Sequence, residues 1–307
     1  MPRSSLNALM AASAAVVFVA LFLASCSQNA CAAAAAAGSS FSFYDDFDVI
    51  WGEDHVSVTD DGDRQRRQLV TLTLDNSSGS GFQSKDQFLF GEFTMQMRLV
   101  PGESAGTVAT FYLTSEGDAH DEIDFEFLGN VSGEPYVLHT NVFAQGRGNR
   151  EREFYLWFDP TADFHNYTVL WNPHNIIWSV DGVPVRVFKN HEAAGVPYLS
   201  GQAMRATEGG RVKTNWSAAP FVASYGDYAA SACVVPAGGD GDGGGGGCPP
   251  DASSSPGDLD GGAWMDRRLG PEDVAWARDN YMIYDYCDDR WRFPEGPPAE
   301  CNLDRLG

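Results

Sequence analysis

The sequence has little positive charge and few long hydrophobic runs. Only 20 of its 307 residues are Lys or Arg, against 42 Asp and Glu, which gives a formal net charge of −22. Such a chain repels nucleic acids and anionic membrane surfaces, so we expect neither as a partner. The charge suits a neutral ligand. Beyond the apolar run at 14–24 no second hydrophobic segment occurs, so no membrane-spanning helix is predicted in the mature chain.

The N-terminal residues follow the pattern of a secretory signal peptide. Arg3 precedes the apolar run at 14–24, and small residues follow. We assign the signal to residues 1–37, with an approximate cleavage point, and expect an exported protein. The stretch Leu23–Cys26 also resembles a bacterial lipoprotein cleavage box, which is a short motif.

Cysteine is scarce, and its distribution predicts disulfides. Two of the six cysteines, Cys26 and Cys31, fall near the predicted signal, and four remain in the last quarter of the chain. An even number in an exported protein predicts two disulfides, for which three pairings exist. We prefer pairing between neighbours, because it closes short loops: Cys233–Cys248 and Cys287–Cys301. Zinc is the alternative, but no His lies nearby and the spacing is not that of a zinc finger.

Long helical patterns are also scarce, whereas strand patterns are frequent. Alternating segments bounded by Gly, Pro, Asn or Asp occur throughout residues 38–225, for example at 69–75, 93–100, 107–113, 166–172, 176–182 and 183–189. The last two predict a hairpin that turns at Asp181–Gly182. This density of strands indicates an all-β sandwich or jelly roll.

The remainder, residues 226–307, is predicted to form a C-terminal extension. Residues 238–262 are rich in Gly and read as a flexible loop. Residues 271–287 predict a short helix followed by an extended segment.

The stretch HDEIDFEFLGN (120–130) carries acids at alternate positions: Glu122, Asp124 and Glu126. Large apolar residues lie between and after them: Ile123, Phe125 and Phe127. In a strand the apolar residues would enter a core and the acids would line the other face. Like charges in a file repel and shift one another's pKa values, which favours tuned acids. The alternative is an ordinary amphipathic strand with a solvated acidic face.

This spacing suits glycoside hydrolysis. The Cα atoms of Glu122 and Glu126 would be about 13 Å apart at roughly 3.3 Å per residue. Side chains leaning together would approach to about 5–6 Å, as a retaining mechanism requires. Asp124 could share a proton with one Glu and separate the two pKa values. Neighbouring acids about 6–7 Å apart along the strand are too distant for one small ion, so no metal is predicted.

The acidic strand and its surroundings resemble the plant xyloglucan endotransglucosylase/hydrolase family, within glycoside hydrolase family 16. The resemblance runs from about Phe43 to Cys301. It includes FYDDFDVIWG (43–52), SGSGFQSKDQFLFGEF (78–93), LHTNVFAQGRGNRE (138–151), VLWNPHNIIWSVDG (169–182), NYMIYDYC (280–287) and RFPEGPPAEC (292–301).

The resemblance implies a concanavalin-like β-jelly-roll sandwich with a disulfide-stapled C-terminal extension. It implies that Glu122 is the nucleophile, Glu126 the acid/base and Asp124 their helper. The residues that it implies in glucan binding are His139, Thr140, Asn141, Asn149, Arg150, Glu151, Gly209 and Arg292. It implies a secreted cell-wall transferase, a monomer without cofactor or metal, whose donor and acceptor are both xyloglucan. Of four Asn-x-Ser/Thr sequons, Asn130 follows the acidic strand, and we expect a glycan there.

The sequence departs from the family pattern after Arg205. The family continues with a strand that contains two cleft tryptophans, whereas this chain passes through Ala206–Glu208 to Gly209 and Gly210. We therefore expect a lost strand, a lost stacking platform and unpaired neighbouring strand edges. The acids are intact, which favours an enzyme. The alternatives are a xyloglucan endohydrolase and a catalytically impaired, lectin-like glucan-binding protein.

Several predicted positions keep a simpler interpretation beside the functional one. His139 and Asn141 could be ordinary polar residues of a strand, and Arg150 with Glu151 could form a surface ion pair. Gln83 either lines the cleft or caps a turn. His120 either tunes the acids or is an exposed loop histidine.

Overall fold

A computed structural model describes residues 42–60, 68–208, 214–235, 248, 253–254 and 262–306. The predicted signal peptide, Gly209 and most of the Gly-rich segment 238–262 lie outside this part of the chain. Residues Ser39–Gly307 group into one compact unit. The boundary proposed at residue 225 therefore stays a prediction.

Most of the regular elements in the described residues are strands, and three short α-helices accompany them. The strands are β1 (Phe47–Trp51), β2 (Val56–Asp60), β3 (Gln68–Leu74), β4 (Gly81–Ser84), β5 (Gln87–Arg98), β6 (Val108–Thr114), β7 (Glu122–Leu128), β8 (Val137–Phe143), β9 (Arg152–Tyr155), β10 (His165–Trp171), β11 (Asn175–Val180), β12 (Val183–Lys189), β13 (Arg205–Glu208), β14 (Phe221–Val235), β15 (Ser253–Ser254) and β16 (Met282–Asp285). The helices are α1 (Phe43–Asp46), α2 (Ala275–Tyr281) and α3 (Ala299–Leu306).

The strands pair into two antiparallel sheets. The first has the order β1-β4-β13-β6-β7-β8-β9-β16, and the second has the order β12-β11-β10-β5-β14-β3-β2, with β15 beside β14. This confirms the predicted all-β sandwich. The predicted helix and extended segment at 271–287 are also confirmed, as α2 and β16.

Aromatic side chains fill the space between the sheets. Phe125 and Phe127 of β7 meet Tyr167 of β10 in the opposite sheet, with ring centroids 5.8 and 4.6 Å apart. Trp171 and Trp178 of the second sheet are also fully buried. Each fully buried large apolar side chain contributes about 1.5–3 kcal/mol, so these contacts hold β7 firmly against the second sheet.

The hairpin between β11 and β12 turns at Asp181–Gly182, as predicted. Both residues have positive φ angles, 48° and 76°, as a type I′ turn requires. A register shift between Ser179 and Trp178 then brings Trp178 opposite Arg186.

The expected loss of a strand after Arg205 is wrong for the described residues. The four-residue strand β13 lies between β4 and β6, where Thr207 pairs with Gln83 on one side and Tyr112 on the other. A strand exposes hydrogen-bonding groups along both edges, so four residues are enough to bridge two neighbours. Residues 209–213 lie outside the described part.

Both predicted disulfides are present, Cys233–Cys248 and Cys287–Cys301. The second joins the residues after β16 to α3. An ion pair between Arg152 and Asp285 and a hydrogen bond between His191 and Asp304 add to this connection. The extension is therefore attached to the outer strands of the first sheet and to the end of β12.

Candidate active site

Strand β7 divides its side chains between two faces, as the sequence pattern predicts. Three apolar side chains have no exposed surface and enter the core: Ile123, Phe125 and Phe127. The three acids lie on the opposite, outer face of the first sheet: Glu122, Asp124 and Glu126. The interpretation as a fully solvated face does not hold, because all three acids are buried or half-buried.

The neighbouring strands supply the surroundings of the acids. Residues directly opposite one another in an antiparallel pair share a face. The outer face around the acids therefore includes Thr110, Tyr112 and Thr114 of β6, and His139, Asn141 and Phe143 of β8.

Asp124 is the most enclosed of the three acids, with 5% of its surface exposed. Burial raises the pKa of Asp124 well above its ordinary value, and the negative charges of Glu122 and Glu126 raise it further. A hydrogen bond between the carboxyl groups raises the pKa of Asp124 and lowers that of Glu122. Both directions favour the protonated form of Asp124, in which its carboxyl group donates a hydrogen bond to Glu122.

Glu122 is held by several groups at once. Burial is the main cause that raises its pKa, while hydrogen bonds from Thr114 and Asp124 and the charge of His120 lower it. His120 Nε2 lies 3.8 Å from Glu122 Oε2, and its ring stacks on Phe143 with centroids 5.4 Å apart. His120 is half-buried beside the acids, so it belongs to the site.

Glu126 has a more open environment, with 34% of its side chain exposed against 20% for Glu122. His139 Nδ1 lies 2.5 Å from Glu126 Oε2, across the β7–β8 pair. The two glutamates thus differ in setting. Glu122 is held in place by several donors, whereas Glu126 is open to solvent and paired with an imidazole.

The opposite sheet supports the acid strand from below. Trp178 Nε1 donates to the main-chain oxygen of Asp124 at 3.0 Å. Arg186, 1% exposed, donates to Thr140 O at 2.8 Å and to Arg150 O at 2.6 Å. Its guanidinium also lies over the Trp178 ring, 4.7 Å from the centroid. Two side chains of the second sheet therefore connect directly to the backbone around the acids.

The predicted glucan-facing residues of β8 separate by face. His139 and Asn141 lie on the outer face, level with Glu126 and Asp124. Thr140 does not, because the side chain between two outward residues of a strand points inward. It is fully buried, and its Oγ1 donates to Arg152 O at 3.0 Å and accepts from Arg186 Nη1 at 2.9 Å. Thr140 is therefore placed to support the site, not to contact the ligand.

The loop that follows β8 contacts the C-terminal extension. Arg150 Nε donates to Glu300 Oε1 at 2.7 Å, and Arg292 Nη1 donates to Glu151 Oε2 at 2.6 Å. Asn149 Oδ1 accepts from Arg292 Nη2. The surface pair between Arg150 and Glu151 is not the arrangement observed, because each pairs with a different residue of the extension.

A cavity of about 630 Å³ lies along this contact. Its walls include Phe143, Asn149 and Glu151 from the jelly roll and Phe293 and Glu300 from the extension. Phe143 lies opposite Glu122, so one residue of the cavity wall neighbours the acid strand, although none of the three acids lines the cavity. The position of Gly209 is outside the described residues, so it stays a prediction.

The structure adds residues that the sequence analysis did not single out. Tyr112 lies directly opposite Asp124 on the outer face, and Thr114 hydrogen-bonds to Glu122. Alternation in VATFYLT predicts that these residues share a face, but not which acid each one meets. Gln83 lies in the same cross-strand row as Thr207 and Tyr112, so it lines this face instead of capping a turn.

Within the described ranges, no group of three or more His, Cys, Asp or Glu side chains is arranged to hold a metal ion. None of the described helices is long and apolar enough to span a membrane. Asn130 follows β7 in a loop, where its Nδ2 donates to Pro135 O at 3.1 Å. Glycosylation of this residue stays a prediction.

Two family models and several curated relatives match the chain. Residues 43–224 match the glycosyl hydrolases family 16, and residues 260–301 match the xyloglucan endo-transglycosylase C-terminus. The chain is 52% identical over 281 residues to xyloglucan endotransglycosylase/hydrolase protein 8 of Oryza sativa subsp. japonica, covering 86% of this chain and 92% of the relative. It is 50% identical over 272 residues to xyloglucan endotransglucosylase protein 7 of Diospyros kaki, covering 84% and 96%.

A solved structure, the Bacillus licheniformis β-glucanase, is 22% identical with a TM-score of 0.47, covering 63% of this chain and 98% of that one. The matches to both family regions and the identity to full-length relatives agree over most of the chain. The chain therefore belongs to the plant xyloglucan endotransglucosylase/hydrolase family, within glycosyl hydrolases family 16.

Proposed function

We propose that the protein is a xyloglucan endotransglucosylase. It cleaves the β-1,4-glucan backbone of xyloglucan by a retaining double displacement and joins the new end to another xyloglucan chain. The observation that carries this proposal is the acid file itself. Asp124, whose pKa is raised well above its ordinary value by burial, lies between two glutamates and is hydrogen-bonded to Glu122, so the glutamates have different environments and can take opposite roles.

In the first step, Glu122 attacks the anomeric carbon of the donor and forms a covalent glycosyl–enzyme bond. Glu126 gives its proton to the departing glycosidic oxygen. The donors around Glu122, which are Thr114 and Asp124, orient the attacking oxygen. The hydrogen bond from Asp124 also lowers the pKa of Glu122 and so favours its ionised, attacking form.

In the second step, Glu126 acts as a base. It removes a proton from an acceptor hydroxyl, which attacks the anomeric carbon and releases Glu122. While Glu122 is esterified it carries no charge. One of the charges that raise the pKa of Asp124 is then absent, and it returns when the bond to Glu122 breaks. The pKa of Asp124 is therefore lower in the glycosyl–enzyme intermediate than in the free enzyme, while the proton that is transferred in each step moves through Glu126.

Substrate binding is proposed for the outer-face residues His139 and Asn141 and for the loop residues Asn149, Arg150 and Glu151. Arg292 joins them from the extension, and Gly209 keeps its proposed role on resemblance alone. Thr140 acts indirectly, through Arg186 and the backbone. Substrate binding by the loop residues is supported by the cavity that Asn149, Arg150 and Glu151 line.

A label-transfer assay tests the proposed function. The mature chain, from about residue 38, is expressed in an oxidising, glycosylating host and mixed with xyloglucan and a labelled xyloglucan oligosaccharide. A transferase moves the label into polymer and forms few new reducing ends. New reducing ends without label would make the protein the alternative endohydrolase.

The variant Glu122→Gln and the wild-type protein together separate catalysis from binding. Glu122→Gln should abolish transfer and retain glucan binding. If the wild-type protein binds glucan but neither transfers nor hydrolyses, the lectin-like alternative is correct. The observation that favours this alternative is the sequence around β13. The resemblance places two tryptophans in that region, and this chain has none there.

We further propose that the protein is exported through the signal at residues 1–37 to the cell wall, where it works as a monomer without cofactor. A glycan on Asn130 is compatible with this location. The division into a catalytic region at 38–225 and an extension at 226–307 is supported by the separate matches at 43–224 and 260–301.

A further inference from the structure

The C-terminal extension displays one tryptophan almost completely. Trp291 is 98% exposed, whereas the other exposed tryptophans are between 37% and 48% exposed. Single exposed apolar residues are common on protein surfaces. A whole indole ring in water is less usual, because Trp is highly buried on average and large aromatic rings dominate interface energetics.

The backbone that carries Trp291 is fixed. Asp289 Oδ1 accepts hydrogen bonds from the main-chain N–H groups of Trp291 and Arg292, each at 3.0 Å. Asp289 Oδ2 accepts from the Tyr284 hydroxyl at 2.8 Å, which ties the turn to β16. These hydrogen bonds lower the pKa of Asp289. A ring on an ordered turn loses little entropy when a ligand covers it.

The turn also lies beside the candidate site. Arg292 follows Trp291 directly and binds Glu151. Phe293 and Phe143 both line the cavity, and Phe143 is paired with Glu122 across β7 and β8. Trp291 is therefore two residues from one wall of the cavity, and another wall residue neighbours the acid strand.

We propose that Trp291 is an additional sugar-stacking residue, which binds a backbone sugar of a xyloglucan chain that extends beyond the cavity. This rests on the proposed function. The apolar C–H face of a pyranose ring matches an indole ring, and a neutral glucan costs no charge desolvation when it binds there. Only a fragment long enough to cross the cavity can reach the ring. Trp291 thus favours long xyloglucan fragments over short ones.

Binding without turnover provides the test. In a Glu122→Gln background, calorimetry compares Kd for short, intermediate and long xyloglucan fragments, with and without Trp291→Ala. We expect an unchanged Kd for the short fragment and a roughly 5- to 10-fold higher Kd for the long fragment. Trp291→Phe, which keeps a ring, should restore most of the affinity for the long fragment. Trp216→Ala removes another exposed tryptophan, which is 42% exposed, and should change neither value.

Each outcome decides the proposal. An unchanged Kd for all fragments, or an equal loss for all lengths, overturns the role of Trp291. Loss of long-fragment binding in Trp291→Ala supports it even in a protein that does not transfer label, because binding needs no turnover. A wild-type protein that transfers label with an unaffected Kd series overturns this proposal and leaves the proposed function standing. Absence of binding at every length overturns both.

Discussion

Arg186 and Thr140 are joined across the interior of the sandwich. Arg186 extends from β12 in the second sheet, and its Nη1 donates to the main-chain oxygen of Thr140 in β8 at 2.8 Å. The same guanidinium holds Arg150 O. A buried cation is costly, and burial lowers the pKa of Arg186 to about 9. Three acceptors compensate for this cost: Thr140 O, Thr140 Oγ1 and Arg150 O.

Arg186→Lys should destabilise the protein by about 2–4 kcal/mol, because an ammonium group cannot reach all the acceptors that the guanidinium serves. We also expect a reduced kcat, since Thr140 and Arg150 are no longer held. Denaturant unfolding and initial rates measure the two effects. The control is Arg278→Lys, at a partly exposed pair with Asp279, which should stay within about 0.5 kcal/mol of wild type. Equal stability of the two variants would contradict the role of Arg186.

His120→Asn should move the acidic limb of the pH–rate profile to higher pH. The attacking Glu122 must be ionised, so activity rises as pH increases through its pKa. Burial already raises this pKa, and the charge of His120, 3.8 Å away, lowers it. Removing that charge leaves a higher pKa and shifts the limb upward. His174→Asn, near Arg268 and remote from β7 in sequence, is the control, and a limb that does not move in His120→Asn would exclude the interaction.

Asp124→Asn should lower the activity. It should also make the protein more stable than wild type, by an amount that grows as pH rises. Folded Asp124 has a raised pKa, so between the ordinary and the raised value the folded state binds more protons than the unfolded state. Wild-type stability therefore falls as pH increases through this window. Asparagine does not ionise and avoids that loss. Thermal unfolding at acidic and neutral pH should show a variant advantage that grows with pH, while kcat falls by about 10²-fold.

A stability difference that does not depend on pH would contradict the proposed protonation of Asp124. If the stability difference between Asp124→Asn and wild type is the same at both pH values, Asp124 does not hold a proton in the folded protein. The shared proton in the proposed mechanism would then be excluded.

Local patterns in the sequence predict much of this fold. The alternation in β7 separates acids from apolar residues, and Asp181–Gly182 specifies the hairpin turn. The same alternation also carries a signal against Thr140 as a ligand contact. His139, Thr140 and Asn141 are consecutive, so a strand cannot direct all three to one face.

Long-range relationships are not encoded so plainly. The register that sets Tyr112 opposite Asp124 depends on how two distant segments pair, and alternation alone is satisfied by several registers. The pattern VPVRVFK predicts that Arg186 points outward, as a charged residue of a strand usually does. In the structure its side chain instead crosses the core and donates hydrogen bonds to Thr140 and Arg150. β13 is shorter than a typical strand, and it is recognised as a strand only because it pairs with both β4 and β6.

The disulfide Cys287–Cys301 should contribute to both stability and ligand binding. It closes a loop with a sequence separation of 14, for which removal costs about 3 kcal/mol. Cys301 also follows Glu300, which is 3% exposed and holds Arg150 beside the cavity. The double variant Cys287→Ser/Cys301→Ser should therefore melt about 6–12 °C lower and bind xyloglucan fragments more weakly.

The second disulfide is a matched control, because Cys233–Cys248 closes a loop of nearly equal length, with a separation of 15. Its double serine variant should lose similar stability, since the entropy of the closed loop is similar. It should keep the wild-type affinity, because Cys233 lies at the end of β14, in the sheet opposite the acids. Calorimetry well below both melting temperatures separates the effects. Equal loss of affinity in the two variants would mean that the Cys287–Cys301 bridge acts only through global stability.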